Sequence, residues 1–177
     1  MDESRNIVLI GMPGVGKSTA GVLLAKALSR DFLDTDVLIQ SREGRRLQTI
    51  IDSVGMEAFC AMEERHVLSV ECRGTVIATG GSVVYGDRAM AHLKSNGVVL
   101  HLDLPLALLK RRLRDLDARG VVMAPDQTLE NLFQERQPLY QLHADITIDC
   151  TNLTHEHVVK DIIAVLRDWP GEASVRP

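Results

Sequence analysis

The stretch GMPGVGKST, Gly11 to Thr19, follows the apolar run NIVLI and precedes GVLLAKAL. It fits G-x-x-x-x-G-K-[ST] at every specified position, and its flanks read as a strand before and a helix after. That combination dictates a strand, a glycine loop and a helix in immediate succession. Glycines let the backbone bend so that successive N–H groups face phosphate oxygens. The helix beginning near Lys17 adds the positive end of its dipole. Lys17 is placed to reach β- and γ-oxygens, and Ser18 to ligate Mg²⁺. The candidate nucleoside-triphosphate contacts are therefore Gly11, Gly14, Val15, Gly16, Lys17, Ser18 and Thr19.

Further apolar runs, Phe32–Leu33, Val76–Ala78, Val98–Leu102 and Ile146–Ile148, join Ile7–Ile10 as strand candidates. Helical patterns lie between them at Lys17–Ser29, Gly55–Val70, Arg88–Lys94, Pro105–Leu113, Thr128–Gln137 and Thr154–Leu166. Continuous apolar strands alternating with helices predict an α/β fold, a mostly parallel sheet covered on both faces. A length of 177 residues suits one domain over residues 1–170, with 171–177 a frayed tail. The connection at about 115–127 has no period of its own, as mobile lids often do not.

A net charge of −4 argues against a nucleic-acid partner. Cys60, Cys72 and Cys150 form no C-x-x-C pair, so reduced thiols in a cytoplasm fit best. No apolar run approaches the roughly 18 residues that span a bilayer, and MDESRN has no apolar signal core. The expectation is a cytoplasmic monomer acting on a small molecule, without membrane or nucleic-acid partners. The guanine signature N-K-x-D is absent and nothing suggests a motor, so a kinase is favoured and an acceptor site must follow.

In Phe32-Leu33-Asp34-Thr35-Asp36, two carboxylates follow a short strand. Phosphoryl transfer needs one carboxylate near Mg²⁺ and another to orient the attacking hydroxyl; Asp34 suits the first role and Asp36 the second. The same pattern by itself would also serve as a helix N-cap. Ala78-Thr79-Gly80-Gly81-Ser82 lets the backbone approach a ligand after another strand. Glu135-Arg136-Gln137-Pro138-Leu139-Tyr140 is read as a helix end, with Arg136 placed to hold a carboxylate by two parallel hydrogen bonds. His155 and His157 read as surface residues opening the last helix, with Thr154 as its cap.

The order of GxxxxGKST, FLDTD, GMEAFCAMEE, VIATGGS and ERQPLY resembles shikimate kinase over nearly the whole chain. The resemblance implies a three-layer P-loop NTPase fold of the nucleoside-monophosphate-kinase type, with a five-stranded parallel sheet and a lid. It also implies ATP with Mg²⁺, a lid arginine at Arg119 that reaches the transferring phosphate, and an adenine-contacting arginine at Arg111 or Arg112. Three positions depart from the family's pattern. Cys60 stands where an arginine usually follows the helix phenylalanine, Ser82 replaces the third glycine of a triplet, and the lid reads Arg119-Gly120-Val121-Val122. Glu63, Arg136 and both aspartates remain.

The departures fall in the acceptor pocket or the lid. The acceptor side is therefore assigned Asp36, Cys60, Glu63, Gly80, Gly81, Ser82 and Arg136, with Cys60 a small packing or pocket-lining residue rather than a nucleophile. The missing guanidinium would admit an acceptor with its own ammonium group, partnered by Glu63, its carboxylate on Arg136 and its primary hydroxyl on Asp36. Homoserine meets those requirements and is the favoured acceptor. The alternative is shikimate, with the missing cation supplied by Arg65 or Arg45. A third reading is a non-catalytic ATP-binding regulator. In the favoured mechanism Lys17, Asp36 and Arg119 are the catalytic groups, and Ser18 and Asp34 hold the metal.

Overall fold

A computed structural model describes residues 2–114 and 127–169 of the chain. The five apolar runs form strands β1 (Asn6–Ile10), β2 (Asp31–Asp34), β3 (Thr75–Ala78), β4 (Gly97–Asp103) and β5 (Ile146–Asp149). All pair in parallel, in the order β2-β3-β1-β4-β5. Every residue of β1 and β3 is buried, which is why both read as unbroken apolar runs rather than alternating ones. Register is fixed from the centre, where Val8 pairs with Ile77 on one side and Val99 on the other.

The connecting helices are α1 (Lys17–Leu28), α2 (Thr35–Glu43), α3 (Leu47–Leu68), α4 (Asp87–Ser95), α5 (Leu106–Arg114), α6 (Leu129–His143) and α7 (His155–Asp168). The chain leaves β1 toward β2 and β3 on one side, then crosses to β4 and β5 on the other. Ligand crevices of such sheets open where the order reverses, at the carboxyl ends of the strands. The Gly11–Ser18 loop, Asp34, Gly80 and Asp103 all lie at that edge. The main core surrounds the sheet. A smaller apolar cluster of Ile39, Ile50, Ile51 and Phe59 joins α2 to α3 beside the crevice.

Three features differ from the sequence reading. The segment after Asp34 is a helix, α2, because the Asp34 carboxylate caps it, accepting from the amides of Asp36 (2.9 Å) and Val37 (3.1 Å). Helix α3 begins eight residues before the expected Gly55, which sits inside it as a break with φ 81° and ψ 168°. Helix α6 does not end at the expected Gln137; it runs through Pro138 to His143. A proline costs one helical hydrogen bond, but Leu132, Arg136 and Tyr140, spaced four apart, are all buried and hold α6 together by packing. The expected lid at about 115–127, Arg119 and the tail lie outside the described residues, apart from Gln127. No described helix is long and apolar enough to cross a membrane.

Candidate active site

The phosphate side follows from backbone geometry. Gly16, the N-cap of α1, has φ 106°, and a Cβ there would lie 2.6 Å from His155 Nε2. Only glycine combines that conformation with so close a neighbour. Gly11 and Val15 are buried within the loop and do not line the cleft, while Ser18 and Thr19 are exposed and do. Lys17 is buried and its Nζ donates to the carbonyls of Gly11 (2.7 Å) and Met12 (3.0 Å). Burial depresses its pKa to about 8, against the opposing pull of Asp36. Arg112 Nη1 donates to Val15 O at 2.9 Å.

The acceptor side is assembled from three strand ends. Thr79 Oγ1 donates to Leu9 O (3.0 Å) and the Gly80 amide to Thr35 Oγ1 (3.0 Å), pinning the Gly80-Gly81 turn between β1 and α2. A Cβ at Gly80 would drive into Glu63 Oε1 and lie 2.7 Å from Asp36 Oδ1, so two carboxylates converge on that residue. Burial, reinforced by the charge of Asp34, lifts the Asp36 pKa to about 6. Glu63 is 1% exposed. Its Oε2 accepts from Ser82 Oγ at 2.6 Å, and its Oε1 has no hydrogen-bond partner. Burial lifts its pKa to about 7.

Arg136, 2% exposed, donates through Nε to Tyr85 Oη at 3.1 Å. Tyr140 Oη donates to Gly81 O at 2.7 Å, tying the glycine turn to α6. Both sides open into one cleft of about 1340 Å³. Gly14, Gly16, Lys17, Ser18, Thr19, Asp34, Asp36, Gly80, Gly81, Ser82 and Arg136 all line it, as the sequence reading requires.

Cys60 does not line the cleft; it sits half-buried on α3, its thiol pKa pushed up to about 11 by burial and then by Glu63. Met56 and Phe59 line the cleft from α3 instead; Phe59 is one step of about 100° round the helix from Cys60. Glu63 also lies behind the lining, against Gly80. Arg45, Arg46 and Arg65 are all exposed, and of the three Arg46, the N-cap of α3, lines the cleft. Of the two adenine-site arginines, Arg112 lines the cleft and Arg111 does not. His155, exposed as the sequence reading expects, lines it as well, against Gly16. Helical spacing would have exposed Met56, Phe59 and Glu63 as one face; nothing in the sequence singles out Arg46 or Tyr85.

A phosphate loop, a carboxylate pair and a buried guanidinium in one crevice are the parts of a small-molecule kinase. The sequence model for shikimate kinase matches residues 13–167. The chain belongs to the shikimate kinase family. The shikimate kinase of Thermodesulfovibrio yellowstonii is 38% identical over 162 residues, covering 90% of this chain and 93% of that protein. That of Sulfurihydrogenibium sp. is 33% identical over 164 residues, covering 92% and 98%. The Acinetobacter baumannii shikimate kinase, solved in complex with shikimate, matches with a TM-score of 0.83 at 29% identity, over 93% of this chain and 94% of that one. The fold is thus the P-loop, nucleoside-monophosphate-kinase-like α/β architecture, and the chain is an ATP-dependent small-molecule kinase that works with Mg²⁺.

The residues present fit that metal. Both backbone bonds that Asp34 accepts go to Oδ1, leaving Oδ2 uncommitted, and the exposed Ser18 hydroxyl lines the same cleft.

Proposed function

We propose that this shikimate kinase family member phosphorylates shikimate itself, as a monomer, transferring the γ-phosphoryl group of ATP to a ring hydroxyl. The observation that carries the reading is Arg136. It is a buried guanidinium that lines the cleft, and no described Asp or Glu forms an ion pair with it. A buried cation is costly until it is paired, and a substrate carboxylate supplies the pair through two parallel hydrogen bonds.

The sequence reading favours homoserine because the guanidinium missing at Cys60 leaves room for an ammonium group, which Glu63 would partner. Glu63 is unsuited to that role: it sits behind Gly80, is held by Ser82, and its raised pKa weakens it as a counter-ion. The homoserine reading loses its anchor there, and the named relatives are shikimate kinases. Arg46, rather than Arg65 or Arg45, supplies the second positive charge on the acceptor side.

Asp36 orients the attacking hydroxyl and takes up its proton as the new P–O bond forms. The Gly14–Lys17 amides and the Lys17 ammonium hold the phosphates and balance charge that grows on the transferring group. Ser18 and Asp34 would hold Mg²⁺, which would supply charge neutralisation at the phosphates. Arg119 adds a further cation from the segment outside the described residues. Incubating the protein with ATP, Mg²⁺ and shikimate, followed by mass spectrometry, should show shikimate heavier by one phosphoryl group. The gain should be absent with Lys17→Ala. A Lys17→Ala protein that still forms the product overturns the mechanism. ATP binding without transfer to shikimate or to any small alcohol in a panel supports a regulator instead.

A further inference from the structure

Arg136 is held in an unusual way. A buried guanidinium is commonly fixed by a carboxylate, which also neutralises it. Among the described residues the side chains beside it are two phenols, Tyr85, which accepts its Nε–H, and Tyr140. Tyr85 closes the short 3-10 turn Val83–Tyr85 that follows Gly80-Gly81-Ser82. Its ring lies beneath the guanidinium, with Cζ 5.1 Å from the ring centroid, while its Oη accepts from Nε at 3.1 Å.

The two contacts act on different degrees of freedom. The cation–π contact holds the guanidinium over the ring, and the bond to Nε restrains its rotation. Nη1 and Nη2 are then left as a fork. Among the described residues neither bonds a protein acceptor, and Arg136 lines the cleft. A Cβ at Gly81 would lie 3.0 Å from Nη1, so the glycine turn borders the fork, and Tyr140 Oη holds that turn through Gly81 O. Both tyrosines of the chain serve this one arginine's surroundings.

We propose that Tyr85 is the positioning residue for acceptor recognition, orienting the Arg136 fork toward the substrate carboxylate while leaving its charge unneutralised. The inference rests on the reading that Arg136 binds the carboxylate of shikimate.

The test measures kcat and KM for shikimate and for its methyl ester, which lacks the anionic carboxylate. The proteins are wild type, Tyr85→Phe, Tyr85→Leu and Arg136→Ala. Tyr85→Phe keeps the stacked ring and removes the bond to Nε. It should raise KM for shikimate about tenfold, the order expected for one hydrogen bond to a charged group. Its kcat and its KM for ATP should stay within about twofold of wild type, the scatter of a surface change. Tyr85→Leu removes the stack as well and should raise KM further. KM for the ester should be the same in wild type, Tyr85→Phe and Arg136→Ala. An unchanged shikimate KM in Tyr85→Phe, alongside a raised one in Arg136→Ala, overturns this inference alone. An equal rise for acid and ester also overturns it, because the phenol would then act on pocket shape. A wild-type protein that does not take shikimate, or an Arg136→Ala protein with unaltered KM, overturns the acceptor reading and this inference with it.

Discussion

Glu63→Gln should stabilise the protein, and only above acid pH. The Glu63 carboxyl is almost wholly buried, with Oε1 unpartnered and Oε2 accepting from Ser82. Burial lifts its pKa from 4.5 to about 7. A folded-state pKa above the unfolded one means that the folded chain holds this proton more tightly. The group's contribution to stability is then complete below about 4.5 and is lost as the pH rises through about 7. At roughly 1.4 kcal/mol per pH unit, the loss at pH 8 comes to about 3 kcal/mol. Glutamine keeps an acceptor for the Ser82 hydroxyl and carries no charge to bury. In a domain of this size, about 3 kcal/mol corresponds to a Tm difference of about 6–12 °C. Thermal unfolding followed by circular dichroism should show Glu63→Gln more stable by that amount at about pH 8, the gap closing toward about pH 4. A gap that does not change with pH, or a Glu63→Gln protein that is the less stable at pH 8, refutes the reasoning.

The pH profile of kcat/KM in the wild type should be bell-shaped, since Asp36 must be ionised and Lys17 protonated. Activity should fall as the pH drops through about 6 and again as it rises past about 8; a flat profile across both limbs contradicts these roles. Asp36→Asn should lower kcat by about a hundredfold or more with little change in ATP binding, so equal losses by steady-state kinetics and nucleotide titration count against it. Arg46→Ala should raise KM for shikimate about tenfold and leave KM for ATP alone; an effect confined to ATP would move Arg46 to the nucleotide side.

The fold was legible because its signals are local or continuous. The loop Gly11–Ser18 is a contiguous pattern, and β1, β3 and β4 are buried on both faces, so each reads as an apolar run. Helix α2 was not legible. Only Thr35 and Ile39 are buried in it, Val37 faces outward, and its start is set by the capping geometry of Asp34. Pro138 reads as a stop in any single sequence, and only the packed spacing of Leu132, Arg136 and Tyr140 carries α6 past it.

The donor side of the site was visible for the same reason as the loop. The acceptor side was only half visible, because its decisive contacts join distant segments. Ser82 meets Glu63 across 19 positions and Tyr85 meets Arg136 across 51. The state of Glu63, and with it the case for an ammonium-bearing acceptor, turns on the first of those contacts. A one-residue difference in register separates Arg46, in the cleft, from Arg45 outside it.

The most direct test of the central claim is a coupled ADP-release assay with shikimate and homoserine side by side. The kcat/KM for shikimate should be at least about a hundredfold above that for homoserine, as a site matched to one substrate's carboxylate and ring hydroxyls requires. A kcat/KM for homoserine equal to or above that for shikimate would contradict the claim.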